Sequence, residues 1–374
     1  MSKTSIKNKK CDDCKEILDI KNFRRIRNYN RTYVPFLNIC IECARIRSNK
    51  YRNTFKGFFN SLLCSSRSTS KKRKNKGRLD AGICDLTIDE IIEIYNKQNG
   101  RCYYSNIRMN PKPCSNWQCS LERLNDNDGY TKNNVVLVCL EFNNRTKWTN
   151  NKINELLIKI ITHKNYDKIL SDINTSLISK KIKRPVRKII YKIFNNIKYW
   201  KCDVCNEYKL INEYRYREKG CKSCRYQTRK NNLKTIGGHI KQLLSHAKYH
   251  TKIRQAVKSR RQKNNIIDTF DITFEQAINI LREQKGLCYY SEIEMNFGSY
   301  LDKNWVASLE RIDPNKGYTV SNVCFVCIEF NTTDNRANIK YSNGGSGGWS
   351  ETKFLYFLER YLRTKNKKIK RIDC

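Results

Sequence analysis

No stretch of this 374-residue sequence stays apolar for long enough to cross a bilayer, so an integral membrane protein is not expected. The N-terminal segment MSKTSIKNKKCDDC is basic but lacks an apolar core, and no secretory leader is read there. The chain is therefore expected inside a cell, in cytoplasm or nucleus. Acidic residues are scarce beside basic ones: 35 Asp and Glu face 75 Lys and Arg, a formal charge of +40. An AT-rich coding bias would raise Lys, Asn and Ile, but it would raise Asp and Glu too, so it does not explain the imbalance. A polyanionic partner is expected, and no amphipathic helix with a clean apolar face points to an anionic membrane instead. Histidine is scarcer still, at four residues (His163, His239, His246, His250), so imidazole chemistry has few places to occur.

Cysteine is plentiful, with 18 residues. Without an export signal these read as reduced thiols held in metal sites or cores, not as a disulfide framework. The length suits two or three domains, and 39% hydrophobic residues supports modest cores.

The stretch Ser308–Asn331, SLERIDPNKGYTVSNVCFVCIEFN, organises the rest. Val306–Arg311 alternates and is β-prone, Asp313–Gly317 is turn material, and Val323–Cys327 reads as a second short strand. Ile328–Ala337 continues as a short helix or a loop. Such a ββα unit brings Glu310 and Arg311 beside Asn331 in the first turn of the helix. A carboxylate and an amide oxygen there are two hard ligands of the kind Mg2+ accepts. The stretch occurs twice: Ser120–Asn143, SLERLNDNDGYTKNNVVLVCLEFN, repeats S-L-E-R, G-Y-T, N-V and V-C-x-E-F-N at identical spacing.

Ahead of each copy stand two C-x2-C pairs, Cys11 and Cys14 with Cys40 and Cys43, then Cys202 and Cys205 with Cys221 and Cys224. Four thiolates in paired knuckles build a closed tetrahedral Zn2+ site with no open position, so two structural zinc ions are expected. Basic segments follow, Arg45–Arg78 and Arg225–Asn265, whose Phe58, Phe59, Leu62 and Leu63, like Ile240, Leu243 and Leu244, fall at helical spacing. The remaining faces carry Lys and Arg, which suits a helix lying along a phosphate backbone. Leu86–Gln98 and Ile272–Gln284 read as amphipathic helices capped by Thr87 and Thr273 and stopped at Gly100 and Gly286. Further helices are expected over Asn150–Ile161 and Ser350–Leu362, with a helical, basic linker over His163–Tyr199 and a flexible insert at Ser342–Gly348. The fold class is α+β. Residues 1–162 form a first zinc module plus ββα domain, 163–199 the linker, and 200–374 the second module with a basic tail.

This layout resembles the HNH (ββα-metal) endonucleases, especially phage and large-virus forms. It is also similar in plan to short HNH restriction enzymes with a four-cysteine zinc module ahead of the ββα unit. The resemblance implies a metal-dependent endonuclease for double-stranded DNA, a monomer acting as a pseudo-dimer with one site per strand, using Mg2+ or another divalent ion. It places the acidic metal ligand at Glu122 and Glu310, and the helix residue that completes the metal site at Asn143 and Asn331. The Asn that braces the hairpin loop falls at Asn134 and Asn322. Arg123 and Arg311 stand where most members carry the water-activating His. An arginine stays protonated and cannot be a general base, though it can clamp a phosphate. The base is then another group or solvent held by the metal. His239, His246 and His250 sit on the second basic helix, either solvated or reaching the site, and Tyr103, Tyr104, Tyr289 and Tyr290 are further candidates. Asp313, for which the first copy has Asn125, is an extra carboxylate two residues beyond Arg311 that could hold the arginine or take a proton. The family's own zinc knuckle is incomplete: Cys102 and Cys139 stand with Ser105 and Phe142, and Cys288 and Cys327 with Ser291 and Phe330, so apolar packing is expected there. A DNA-binding protein that has lost cleavage is the alternative, and an RNA-binding zinc protein a third reading that lacks aromatic platforms.

Overall fold

The computed structural model describes residues 8–25, 36–144, 146–162, 170, 171, 173, 189–215, 218–261, 269–299, 303–313, 316–331 and 348–369. The chain folds into two compact units, Met1–Asn143 and Asn144–Cys374, of mixed α+β structure with small sheets. Most of the expected linker, including His163 and KKIKRPVRK, lies outside the described residues, as do residues 332–347 with most of the SNGGSGG insert.

In the first unit, strands β1 (Asn8–Lys10) and β2 (Ile17–Asp19) pair antiparallel, as do β3 (Phe23–Arg25) and β4 (Phe36–Cys40). Helices α1 (Ile41–Arg52) and α2 (Phe55–Lys74) follow directly. Thr54 caps α2, and the corner depends on Gly57, where an added Cβ would lie 1.9 Å from the Tyr51 carbonyl oxygen. Phe58, Phe59 and Leu63 of α2 are buried, which is why the basic segment is helical: one apolar stripe packs while Lys56, Lys71, Lys72 and Lys74 stay exposed. Helix α3 (Ile88–Lys97) starts with a capping box between Thr87 and Glu90 and buries Ile91 and Ile94. Strands β5 (Cys119–Arg123) and β6 (Val135–Cys139) form the antiparallel hairpin, with Glu122 opposite Val136.

The second unit repeats this plan after an additional helix. Helix α4 (Asn150–Ile161) packs in this unit, so the chain divides at Asn143 and Asn144, where residue 162 was expected. Strands β7 (Tyr191–Phe194), β8 (Ile197–Lys201) and β9 (Tyr208–Leu210) make a three-stranded sheet. Helices α5 (Lys222–Leu233) and α6 (Ile236–Arg261) meet at Gly238, where a Cβ would lie 1.9 Å from the Asn232 carbonyl oxygen. Strand β10 (Phe270–Asp271) and helix α7 (Phe274–Glu283), with a Thr273–Gln276 capping box, lead to the hairpin of β11 (Ala307–Arg311) and β13 (Val323–Cys327). Strand β12 (Tyr318–Thr319) pairs parallel with β10, and α8 (Glu351–Ile369) closes the described chain.

One side chain ties each helix to each hairpin. Gln98 receives the Leu137 N–H and donates to the Leu137 carbonyl, and Gln284 does the same to Phe325. A single amide thus satisfies both backbone groups of a central strand residue, which would be costly to bury unpaired.

Candidate metal and nucleic-acid sites

Each four-cysteine set converges. In both, one ligand atom from each thiol lies within 4.8 Å of the others, and among the described residues no other group of three or more His, Cys, Asp and Glu does so. Tetrahedral Zn2+ with bonds of about 2.3 Å needs sulfurs about 3.8 Å apart, so the sets fit that ion. Cys11 and Cys202 lie in turns after a strand, while Cys40 and Cys221 cap α1 and α5 and accept the Cys43 and Cys224 N–H groups. Burial opposes ionisation of Cys11, but N–H groups of Cys40, Cys14 and Asp13 outweigh it and bring the thiol down to about 6. Cys202 reaches about 6 in the same way through Cys205, Cys221 and Val204. Around the first set, among the described residues, only Cys11, Phe23 and Cys40 form the buried cluster. One buried Phe contributes about 1.5–3 kcal/mol, against about 1–2 kcal/mol of backbone entropy per ordered residue, so an ion on the four thiols would add what this small cluster lacks.

Both hairpin loops are built alike. Asn134 Nδ2 donates to the Asn125 and Gly129 carbonyls and its Oδ1 accepts the Asn125 N–H; Asn322 repeats this with Asp313 and Gly317. Gly129 and Gly317 allow a close approach, since an added Cβ would lie 2.4 Å from the Ile83 oxygen and 2.2 Å from the Thr269 oxygen. Arg123 is buried, donates to the Asp126 and Asp128 carbonyls and the Asp126 carboxylate, and lies 5.4 Å over the Tyr130 ring. Arg311 is half-buried, donates to the Lys316 carbonyl and lies 5.4 Å over Tyr318. The S-L-E-R arginine and the G-Y-T tyrosine are therefore partners in one loop, and the Arg123 guanidinium is turned to holding it. The Asp313 carboxylate lies 3.8 Å from the Lys316 ammonium.

Asn143 and Asn331 occupy one position in the two copies. Asn143 Nδ2 donates to Ser120 Oγ (2.9 Å) and the Leu121 carbonyl (2.8 Å), and Asn331 Nδ2 to Ser308 Oγ (2.9 Å) and the Leu309 carbonyl (3.0 Å). Ser120 and Glu122 share a face of β5, so the amide is held on the side of the strand that carries the half-buried carboxylate. Among the described residues nothing donates to either Oδ1, while Glu310 Oε1 accepts the Arg311 N–H (2.9 Å). Asn143 ends the 3-10 turn Leu140–Phe142, and Asn331 follows a turn, with the rest of its expected helix or loop, up to Ala337, outside the described residues. Of the short helix or loop expected after the second strand, the first copy has that 3-10 turn and then a loop, and α4 begins only at Asn150.

The base candidates separate. His239 is buried, its Nε2 donates to the Ala307 carbonyl (2.8 Å) and its Nδ1 accepts the Gly298 N–H (3.3 Å). It is neither solvated nor a site residue; it pins α6 to the start of β11. His246 and His250 are exposed. Tyr104 and Tyr290 are held above the usual phenol range, first by burial and then by Glu122 and Glu310, so they stay neutral at physiological pH. Cys324 stands opposite Glu310 where the first copy has Val136, and burial pushes its thiol up, so it fills space as a neutral group. At the first incomplete knuckle the thiol of Cys102, opposed by burial, is brought to about 7 by Cys139 and Ser105, and Phe142 is buried.

Three further pairs of residues carry structure that no sequence motif marks. Glu141 and Glu329 are buried and accept the N–H of Trp117 and Trp305, both of which hold a left-handed backbone (φ 55° and 59°). Gln98 and Gln284 brace the hairpins, and Lys152 and Lys353 are buried lysines following Trp148 and Trp349 at equal spacing. Each was visible only as a residue recurring at one position in both copies. No protein-family model, curated protein or solved structure matches the chain.

Proposed function

We propose that this protein is a metal-dependent endonuclease of the HNH type that hydrolyses phosphodiester bonds in double-stranded DNA, with one hairpin site for each strand. The observation that supports it most is the position of Asn143 and Asn331. Each amide spends its N–H donors on the first strand, on the side that carries Glu122 or Glu310, and among the described residues its oxygen accepts nothing. A bound Mg2+ would supply Lewis-acid stabilisation of charge on a phosphate oxygen. Glu122 and Glu310 would hold it by their carboxylates, and Asn143 and Asn331 would fix its position by their amide oxygens. The formal charge of +40 draws the polyanion in. The zinc modules keep the basic helices attached in fixed orientation, since Cys40 and Cys221 are themselves helix caps.

A binding-only protein is the second reading, and the burial of Arg123 in its own loop favours it for the first copy. The second copy, with Arg311 more open and Asp313 beyond it, is then the stronger catalyst. Plasmid nicking with and without Mg2+ tests this. Glu310→Gln should remove most nicking while DNA binding is kept, and Glu122→Gln should turn double-strand breaks into nicks. Loss of all cleavage in Glu122→Gln with Glu310→Gln intact reverses the assignment. No cleavage by the parent with any divalent ion leaves the binding-only reading.

A further inference from the structure

The corner between α5 and α6 opens outward into a cleft of about 420 Å3, within the range of ligand-holding clefts. Arg225 and Arg229 line it from α5, one turn apart on one face, and Lys241 and His246 line it from α6. Thr228, Asn232, Gln242 and Ser245 add neutral donors, and no carboxylate lines the cleft. Arg225 reaches Asp203 through one Nη2 at 3.4 Å, while its buried Nε has no hydrogen-bond partner. The Lys241 ammonium lies 4.7 Å over the Phe274 ring, a contact that leaves its charge uncompensated. In the first unit the matching positions are Ala44, Ser48, Asn60 and Ser65, so Arg225, Arg229, Lys241 and His246 belong to the second copy alone. No Phe, Tyr or Trp lines the cleft, so a base has no platform on which to stack.

We infer that the α5–α6 cleft is a seat for backbone phosphates of a bound polynucleotide, and that it anchors the second unit on the strand. This rests on the nucleic-acid reading above and names the surface that carries it. Cations without carboxylates fit a phosphodiester, and the missing stacking surface sets a polynucleotide backbone above a free nucleotide.

The test uses the full zinc-loaded chain and a fluorescently labelled DNA duplex, with affinity followed against salt. Arg229→Gln/Lys241→Gln should weaken binding about tenfold and lower the slope of log affinity against log salt by about 2, the loss of two phosphate contacts. Lys230→Gln/Lys234→Gln removes the same charge from α5 and the residue after it, outside the cleft, and should change affinity less than about threefold. If Lys241→Gln lowers the melting temperature, Arg229→Gln against Lys230→Gln carries the comparison instead, one charge in each. Equal losses from the cleft and control pairs overturn the seat but leave the nucleic-acid reading standing. Displacement of the duplex by excess adenosine monophosphate from the parent, but not from the cleft variant, overturns the backbone in favour of a free nucleotide. A parent that does not bind duplex overturns both readings.

Discussion

Lys152→Met should be the most damaging single change in the second unit outside its zinc set. Lys152 is 5% exposed and Glu329 1% exposed, and the Lys152 ammonium lies 2.8 Å from Glu329 Oε1. The ammonium also donates to the Thr146 carbonyl and lies over the Trp148 and Trp305 rings. Met fills a similar volume but leaves Glu329 buried with only the Trp305 N–H on Oε1, while Oε2 has no partner already. Removing one member of a buried pair costs about 3–5 kcal/mol, which for a unit of this size lowers the melting temperature by about 6–20 °C. Tryptophan fluorescence is a suitable probe, since Trp148, Trp200, Trp305 and Trp349 lie in the second unit and only Trp117 in the first. Adding Glu329→Gln removes the uncompensated charge, keeps an acceptor for Trp305 and should restore most of the loss. A single variant within about 1 kcal/mol of the parent, or a double variant no better than the single, would refute the pairing as the source of stability.

Metal analysis of purified protein should give about two Zn2+ per chain, strong chelation should lower the melting temperature, and Cys221→Ser should lose one ion; well-folded protein without zinc counts against both sites. His239 makes stability pH-dependent. Its folded pKa lies below the ordinary value, chiefly through burial, so its contribution is full above about 6.5 and declines as pH falls below that. Acid also protonates the cysteine ligands, so the measurement is the difference between parent and His239→Phe, the residue type that Phe58 supplies in the first unit. The parent should lose more stability than the variant between neutral pH and pH of about 5, and parallel curves would show His239 to be indifferent to protonation.

Local chemistry in the sequence predicted what local chemistry controls. The paired cysteines converge because each C-x2-C is a turn or a helix cap, and Thr87 and Thr273 begin helices because their hydroxyls accept the N–H three residues on. The strand Val323–Cys327 follows from an unbroken β-prone run. What was illegible is long-range. Asn150–Ile161 reads as the tail of the first copy, but Trp148 is buried against Trp305, Phe330 and Trp349 of the second. Nothing in the helix itself says which hairpin it will cover. Arg73 was similarly opaque: in sequence it is one of four consecutive cations, yet its guanidinium lies 5.4 Å over Tyr130, whereas its neighbours Lys71, Lys72 and Lys74 carry no such contact among the described residues.

The repeated frame is itself weaker support for catalysis than its length suggests, because most of its positions serve the hairpin. Ser120 accepts from Asn143, Arg123 stacks on Tyr130, Gly129 admits the Ile83 backbone, Asn134 holds the loop, and Glu141 holds Trp117. A chain needing only this hairpin would keep all of these. Glu122 and Glu310 differ, since they face Val136 and Cys324 across the strands, and a half-buried carboxylate opposite an apolar group pays a desolvation cost that a leucine would avoid. The Asn143 and Asn331 oxygens accept no hydrogen bond among the described residues, so the hairpin does not account for them either. Functional reading therefore concentrates on a Glu and an Asn in each copy, and Glu→Leu is the decisive contrast. If the carboxylates serve folding, Glu310→Leu should melt lower than the parent; if they are kept for a cation, it should melt at or above the parent while metal-dependent nicking is lost.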